Sequence, residues 1–144
     1  MRVWNGLEKF SKEPCIVVVP QCLGKSKDGE RSTWLPGDLN LLLQNLKATL
    51  PVDPDRVYLT GNSMGGYGTW TWAAHHPEHF AAVAPISGGL GRSGRKDVTA
   101  EMAKWTANLA KIPVYAFTGG KDDVVPAERS KRMIAAIRKA GGKQ

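Results

Sequence analysis

Short apolar runs alternate with segments of helical periodicity along the chain. The first run, residues 15–20, is continuous and rich in β-branched side chains, which is typical of a parallel strand covered on both faces. Further runs at residues 56–60, 81–86 and 112–117 also predict strands. Strands that alternate with helices predict right-handed crossovers and a parallel sheet with helices on both faces. The predicted fold class is therefore α/β, and residues 1–144 are expected to form one domain.

Four segments carry apolar residues three and four positions apart, as an amphipathic helix does. The first is expected to begin at Asp38, whose side chain would cap it, and to end before Pro51. The second follows residue 63 and stops at Pro77, and the last begins near Pro126. The apolar positions expected to face the core are Leu39, Leu42, Leu43, Leu46, Leu50, Met102, Trp105, Leu109, Met133, Ile134 and Ile137.

Composition and charge exclude some classes of function without identifying one. An apolar fraction of 42% and a charged fraction of 23% are ordinary for a globular domain. The net charge of +7 is spread along the chain, so nucleic-acid binding is not expected. No apolar run approaches the roughly 20 residues that span a bilayer, and the first residues do not resemble a secretion signal. We therefore expect a soluble protein, and the sequence does not indicate its cellular compartment. Cys15 and Cys22 form no metal or redox motif, and Cys15 is expected to be buried.

A nucleophile motif lies between the second predicted strand and the helix that follows it. The residues Gly61-Asn62-Ser63-Met64-Gly65 match G-x-S-x-G, in which the serine occupies a sharp, strained turn and its hydroxyl projects from the sheet. Glycines are expected two residues before and after it because side chains there would clash with neighbouring backbone. The Met64 amide, at the positive end of the helix dipole, is expected to stabilise an oxyanion. The alternative is a glycine-rich turn without chemistry.

Three stretches of the chain resemble the α/β-hydrolase superfamily. They are residues 52–70, which contain the serine motif, residues 81–89, and residues 112–126. The resemblance covers about residues 14–142 and is greatest to carboxylesterases of the polyhydroxybutyrate depolymerase-like and dienelactone hydrolase-like branch, which also holds predicted peptidases. It implies an incomplete α/β-hydrolase core and hydrolysis of a small carboxylic ester through an acyl-Ser63 intermediate, without a metal or cofactor and without a nucleic-acid or membrane partner.

The same resemblance implies the acidic member of a catalytic triad. In the family pattern the acid follows a Gly-x-x-Asp spacing and precedes Val-Pro, and Asp122 fits both conditions. Its carboxylate would accept the Nδ1 proton of a histidine and stabilise the imidazolium. Asp123 is the rival, and the alternative for Asp122 is a cap or loop carboxylate ahead of the last helix. Trp34, Tyr67 and Trp70 are expected either to line an acyl site or to lie in the core.

The sequence contains no histidine after Asp122, where the chain order of the family requires one. His75 lies twelve residues beyond Ser63, about 18 Å along a helix, and is expected with His76 and His79 to be a solvated helix-end side chain. By the resemblance, the histidine loop would follow residue 144, and a strand carrying a second oxyanion amide would precede residue 1.

The chain is therefore expected to be truncated at both ends and to expose sheet edges that favour association with a second copy. Activity would then be weakened or absent, and the alternatives are a non-catalytic or self-associating scaffold or, third, a serine peptidase.

Overall fold

The computed structural model describes residues 15–22, 34–90 and 102–142, and within them the chain forms two strands and four α-helices. Strand β1 (Tyr58–Asn62) pairs in parallel with β2 (Ala82–Ile86), with Tyr58 opposite Ala82. Val114 and Phe117 make single parallel bridges to Val83 and Ile86, on the other side of β2. The predicted fourth strand is thus present only as two bridges. Three parallel segments lie side by side, with β2 in the middle.

The helices are α1 (Pro36–Thr49), α2 (Met64–His75), α3 (Met102–Leu109) and α4 (Glu128–Lys139). Short 3-10 helices at Pro54–Arg56 and Pro77–His79 precede β1 and β2, respectively. The prediction that Asp38 caps α1 is wrong. Leu35 is the N-cap residue, without a side-chain hydrogen bond, and Asp38 lies in the first turn. Pro36 sets the start instead because its fixed φ suits the first helical position.

One hydrophobic core joins the helices to one face of the sheet. Val83 and Val114 lie in it together with Leu39 and Leu43 of α1 and Trp70 of α2. Of the other predicted core positions, Leu109, Met133 and Ile137 are buried, Leu42, Leu46, Trp105 and Ile134 are half-buried, and Leu50 is exposed. The side chain of Met102 lies outside those that the structure describes. The helical periodicity therefore predicts most of the buried face correctly.

The opposite face of the sheet is open in the part of the chain that the structure describes. Successive residues of a strand point to opposite faces of the sheet. Because Val114 and the buried β2 residues point into the core, the residues next to them in sequence point to the opposite, open face. Tyr58, Tyr115 and Phe117 lie on it and are 66%, 74% and 49% exposed. The α/β class is confirmed, and the described helices cover one face of an incomplete sheet.

The predicted first strand is wrong. Residues 15–20 have no regular secondary structure, and all of them are exposed, including Cys15, which the sequence predicted to be buried. A β-branched run favours a strand only where a neighbouring strand supplies hydrogen-bond partners. Among the described residues β1 pairs with β2 alone, so no such partner stands beside residues 15–20. No helix in the described residues is long and apolar enough to cross a membrane.

Candidate active site

Ser63 occupies a sharp, exposed turn between β1 and α2. Its backbone has φ 53° and ψ −113°, a positive φ that few non-glycine residues adopt. The Ser63 N–H donates to the Ile86 carbonyl at 3.0 Å, and the Ser63 carbonyl accepts from the Tyr67 N–H at 3.0 Å. These two bonds attach the turn to the sheet on one side and to the helix on the other. The strained turn that the motif predicts is present.

Close backbone contacts explain two of the glycines around this turn. A Cβ on Gly61 would lie 2.4 Å from the Gly65 carbonyl oxygen, and a Cβ on Gly66 would lie 2.3 Å from the Ile86 carbonyl oxygen. A Cβ on Gly65 would meet nothing within 4 Å. The expectation that a side chain at position 65 would clash is therefore wrong, because Gly65 supplies the backbone against which Gly61 packs. Gly88 adds a similar contact, since its Cβ would lie 2.5 Å from the Gly66 carbonyl carbon.

Met64, the predicted oxyanion residue, is the first residue of α2. The first N–H groups of a helix have no partner within the helix, and its positive dipole end favours negative charge. The Met64 amide thus lies beside Ser63 at the end of α2 that suits an anion. The Met64 side chain is exposed.

Asp122, the predicted acid, lies in the turn that follows the third parallel segment. Its Oδ1 accepts from the Val125 N–H at 2.8 Å and from the Val124 N–H at 3.0 Å. These two donors hold the pKa of the Asp122 carboxyl below its usual range, and a hydrogen bond from Ser87 acts in the same direction. The carboxylate is therefore ionised at neutral pH. The bonds from Val124 and Val125 also fit the loop-carboxylate alternative, while the rival Asp123 is exposed.

The structure brings Ser63 and Asp122 to the same edge of the sheet. Ser63 follows β1 and donates to the carbonyl of Ile86, and Ser87 follows β2 and donates to the Phe117 carbonyl at 2.9 Å. Parallel strands lie about 4.8 Å apart, so the ends of the outer two segments are separated by about 10 Å.

Sequence reasoning missed Ser87, which lies between the two predicted site residues. It has φ 46°, and its side chain hydrogen-bonds Asp122. The only local signal is its position directly after an apolar strand and before Gly88. Of the three aromatic residues considered for an acyl site, Trp70 is fully buried in the core and Trp34 packs on Gly68.

The three histidines lie at the other end of α2 from Ser63. His75 is exposed, as predicted, and its Nδ1 is 2.8 Å from the Thr71 carbonyl oxygen. His76 and His79 are half-buried rather than solvated, and their rings stack with centroids 5.6 Å apart. Burial lowers the pKa of His79.

A metal is disfavoured at the described cluster of His76, Glu78 and His79, although their donor atoms lie within 4.8 Å of one another. The Trp72 Nε1–H donates to Asn40 Oδ1 at 2.6 Å, which turns the Asn40 amide nitrogen toward His76 Nε2 at 2.9 Å. His76 Nε2 therefore accepts, and its Nδ1–H donates to Glu78 at 3.2 Å. A metal bound at Nδ1 would displace that proton to Nε2. Nε2 could then no longer accept the hydrogen bond from Asn40. The cluster instead joins α1 to the end of α2.

Comparison with known proteins gives the family. The family model described as "Putative esterase" matches residues 23–140. The chain is 37% identical over 97 residues to "Poly(3-hydroxyalkanoate) depolymerase C" of Paucimonas lemoignei, covering 60% of this chain and 23% of the relative. It is 32% identical over 127 residues to a "Putative carboxymethylenebutenolidase" of Methylorubrum extorquens, covering 86% and 40%. The chain thus spans well under half the length of these two curated relatives.

Solved structures agree with this result. The structure of a thermostable esterase is 34% identical, with a TM-score of 0.63, over 74% of this chain and 26% of that one. A variant of the SOBER1 protein of Arabidopsis thaliana is 16% identical, with a TM-score of 0.62 over 86% of this chain and 67% of that one, and therefore supports the fold alone. The chain belongs to the esterase family and has the α/β-hydrolase fold.

Proposed function

We propose that the protein hydrolyses small carboxylic esters through an acyl intermediate on Ser63. The Ser63 Oγ attacks the carbonyl carbon, its proton passes to a base, and the alcohol leaves with a proton from the same base. Water then releases the acid and restores the hydroxyl. The main support is the turn at Ser63, where a strained and exposed serine begins a helix at the edge of the sheet.

Met64 and Asp122 have separate roles in this proposal. The Met64 N–H donates to the oxyanion as it forms, aided by the α2 dipole. The Asp122 carboxylate orients a histidine that bridges it to Ser63 and stabilises the imidazolium. We propose that the histidine comes from outside these 144 residues, because none of the three in the chain lies within reach. Without it, only slow residual turnover is expected.

The substrate class follows from the names of the relatives. The two relatives are named for a poly(3-hydroxyalkanoate), which is a polyester, and, as a putative enzyme, for a butenolide, which is a cyclic ester. The residues proposed for the reaction, Ser63, Met64 and Asp122, need no metal or cofactor. Ester rather than amide substrates are therefore proposed, with no nucleic-acid or membrane partner. We also propose that residues 1–144 form part of one hydrolase domain.

A self-associating scaffold is the second candidate. It is favoured by the open sheet face around Tyr115, by the exposed apolar residues 16–19, and by the edge of β1 that pairs with no strand in the described residues. We propose that a second copy covers this surface. Tyr115→Lys should then shift the mass measured by light scattering from dimer to monomer. A chain that is already monomeric at high concentration would contradict this proposal.

A chromogenic ester assay tests the catalytic proposal. Because the proposed histidine lies outside the chain, we expect 4-nitrophenyl valerate to be hydrolysed slowly by the chain and at the same rate by Thr49→Ala, a control that removes an exposed hydroxyl on α1. Ser63→Ala should reduce the rate to that of buffer with denatured protein. Equal rates for Ser63→Ala and the unmodified chain would refute the role of Ser63.

A further inference from the structure

Arg129, in the first turn of α4, is held in a defined position near the candidate site. Its Nη1–H donates to the Tyr67 hydroxyl, and its Cζ lies 5.9 Å from the centre of the Tyr67 ring. The stem of the side chain lies over Gly89, where an added Cβ would come within 3.2 Å of the Arg129 Cβ. The absence of a side chain at Gly89 thus makes room for this arginine.

The charge of Arg129 has no carboxylate partner among the residues whose side chains the structure describes. Glu128, its neighbour, pairs with Lys131 at 3.0 Å, and the bonds accepted by Asp122 come from Val124, Val125 and Ser87. A half-buried charge that lacks a partner is costly, and proteins usually pair it. One of the five guanidinium N–H donors goes to Tyr67. The remaining donors can bind a carboxylate in the two-point geometry that arginine favours.

The pair of Arg129 and Tyr67 lies on the same side of the molecule as Ser63. Tyr67 is one helical turn from Ser63, and its N–H bonds the Ser63 carbonyl. A Cβ on Gly89 would lie 3.7 Å from Tyr67 Cε1, so the phenol ring lies beside the residues that follow β2. Gly89 directly follows Ser87 and Gly88 at the carboxyl edge of β2. A bound carboxylate would therefore lie near an ester held at Ser63.

We infer that Arg129, anchored by Tyr67, selects esters that carry a carboxylate a few bonds from the scissile carbonyl. This inference rests on the proposed function of Ser63. Arg129 binds the substrate away from the reacting atoms, so it stabilises the bound substrate and the transition state equally. Its loss should then raise KM for an acidic ester and leave kcat nearly unchanged.

Two 4-nitrophenyl esters of equal chain length provide the test, the hydrogen glutarate and the valerate. The ratio of their kcat/KM values, acidic over neutral, should fall by about 10- to 100-fold in Arg129→Met, as expected for a hydrogen bond to a charged group. Arg129→Lys should retain part of the preference. The matched control is Arg132→Met, which removes an exposed arginine from the same helix and should leave the ratio unchanged.

Binding measured without turnover keeps this test independent of catalysis. In Ser63→Ala, monomethyl glutarate should shift the NMR signals of the Tyr67 ring in a saturable way, and neutral methyl valerate should bind at least 10-fold more weakly. Arg129→Met should abolish that difference. Equal binding of the two esters, or an Arg129→Met variant that loses only thermal stability, would overturn the inference. If Ser63→Ala hydrolyses esters as fast as the unmodified chain, the proposed function fails, while the binding difference still reports on Arg129.

Discussion

Replacing Ser63 with glycine should stabilise the protein while removing the hydroxyl. The φ of 53° at this residue is in a region that costs a non-glycine side chain about 1–3 kcal/mol, and glycine adopts it freely. Glycine also increases the conformational entropy of the unfolded chain, which offsets about 0.5–1 kcal/mol of the gain. The net expectation is a rise of about 0–2.5 kcal/mol in the free energy of unfolding. Ser63→Ala keeps the strain and should differ little from the unmodified chain.

Urea denaturation followed by circular dichroism measures this difference, and a thermal melt should shift by about 4 °C per kcal/mol for a chain of this size. Asn62→Gly is the control because Asn62 lies in β1 with no positive φ. Glycine there should destabilise by about 0.5–1 kcal/mol. A Ser63→Gly variant that is less stable than Ser63→Ala would refute the claim that the turn is strained.

Three further predictions concern neighbouring features. Gly66→Ala should lower the free energy of unfolding by about 1–3 kcal/mol, because its Cβ would lie 2.3 Å from the Ile86 carbonyl oxygen. Gly65→Ala on the same helix has open space around its Cβ and should be neutral or stabilising. Similar losses of stability in both variants would contradict this prediction. Because the pKa of Asp122 is lowered in the folded state, its carboxylate stabilises the fold above about pH 4, and this contribution disappears as the pH falls through the folded pKa. In urea melts across that range, the free energy of unfolding of Asp122→Asn should depend less on pH than that of the unmodified chain. Because burial lowers the pKa of His79, stability should decrease as the pH falls below about 6.5, and an unchanged slope in His79→Gln would show that another group is responsible.

Features that depend on local sequence were predicted well. The turn at Ser63, the start of α2 directly after it and the buried faces of α1 and α4 follow from motif spacing and helical periodicity. Gly61 was predicted for the correct reason, since its Cβ would meet backbone. The expectation of a clash at Gly65 was wrong, because the sequence alone does not show which of two touching glycines lacks room for a Cβ.

Features that depend on distant partners were not predictable. Residues 15–20 have the composition of a strand, but a strand forms only beside another, and none pairs with them in the described residues. The His76 hydrogen bond joins residues 36 positions apart. Ser87 has only the local signal of its place between an apolar strand and Gly88, and Arg129 has none, because their positions near the candidate site arise from the way β2 and α4 pack.

Covalent labelling of Ser63 tests the central claim most directly. A fluorophosphonate reacts with an activated serine, and mass spectrometry of the digested protein locates the adduct. Because the proposed histidine lies outside these 144 residues, we predict slow labelling, with one adduct on the peptide that contains Ser63 and none in Ser63→Ala or after denaturation in urea. An unlabelled Ser63 in the folded chain, or labelling that survives Ser63→Ala, would contradict the account.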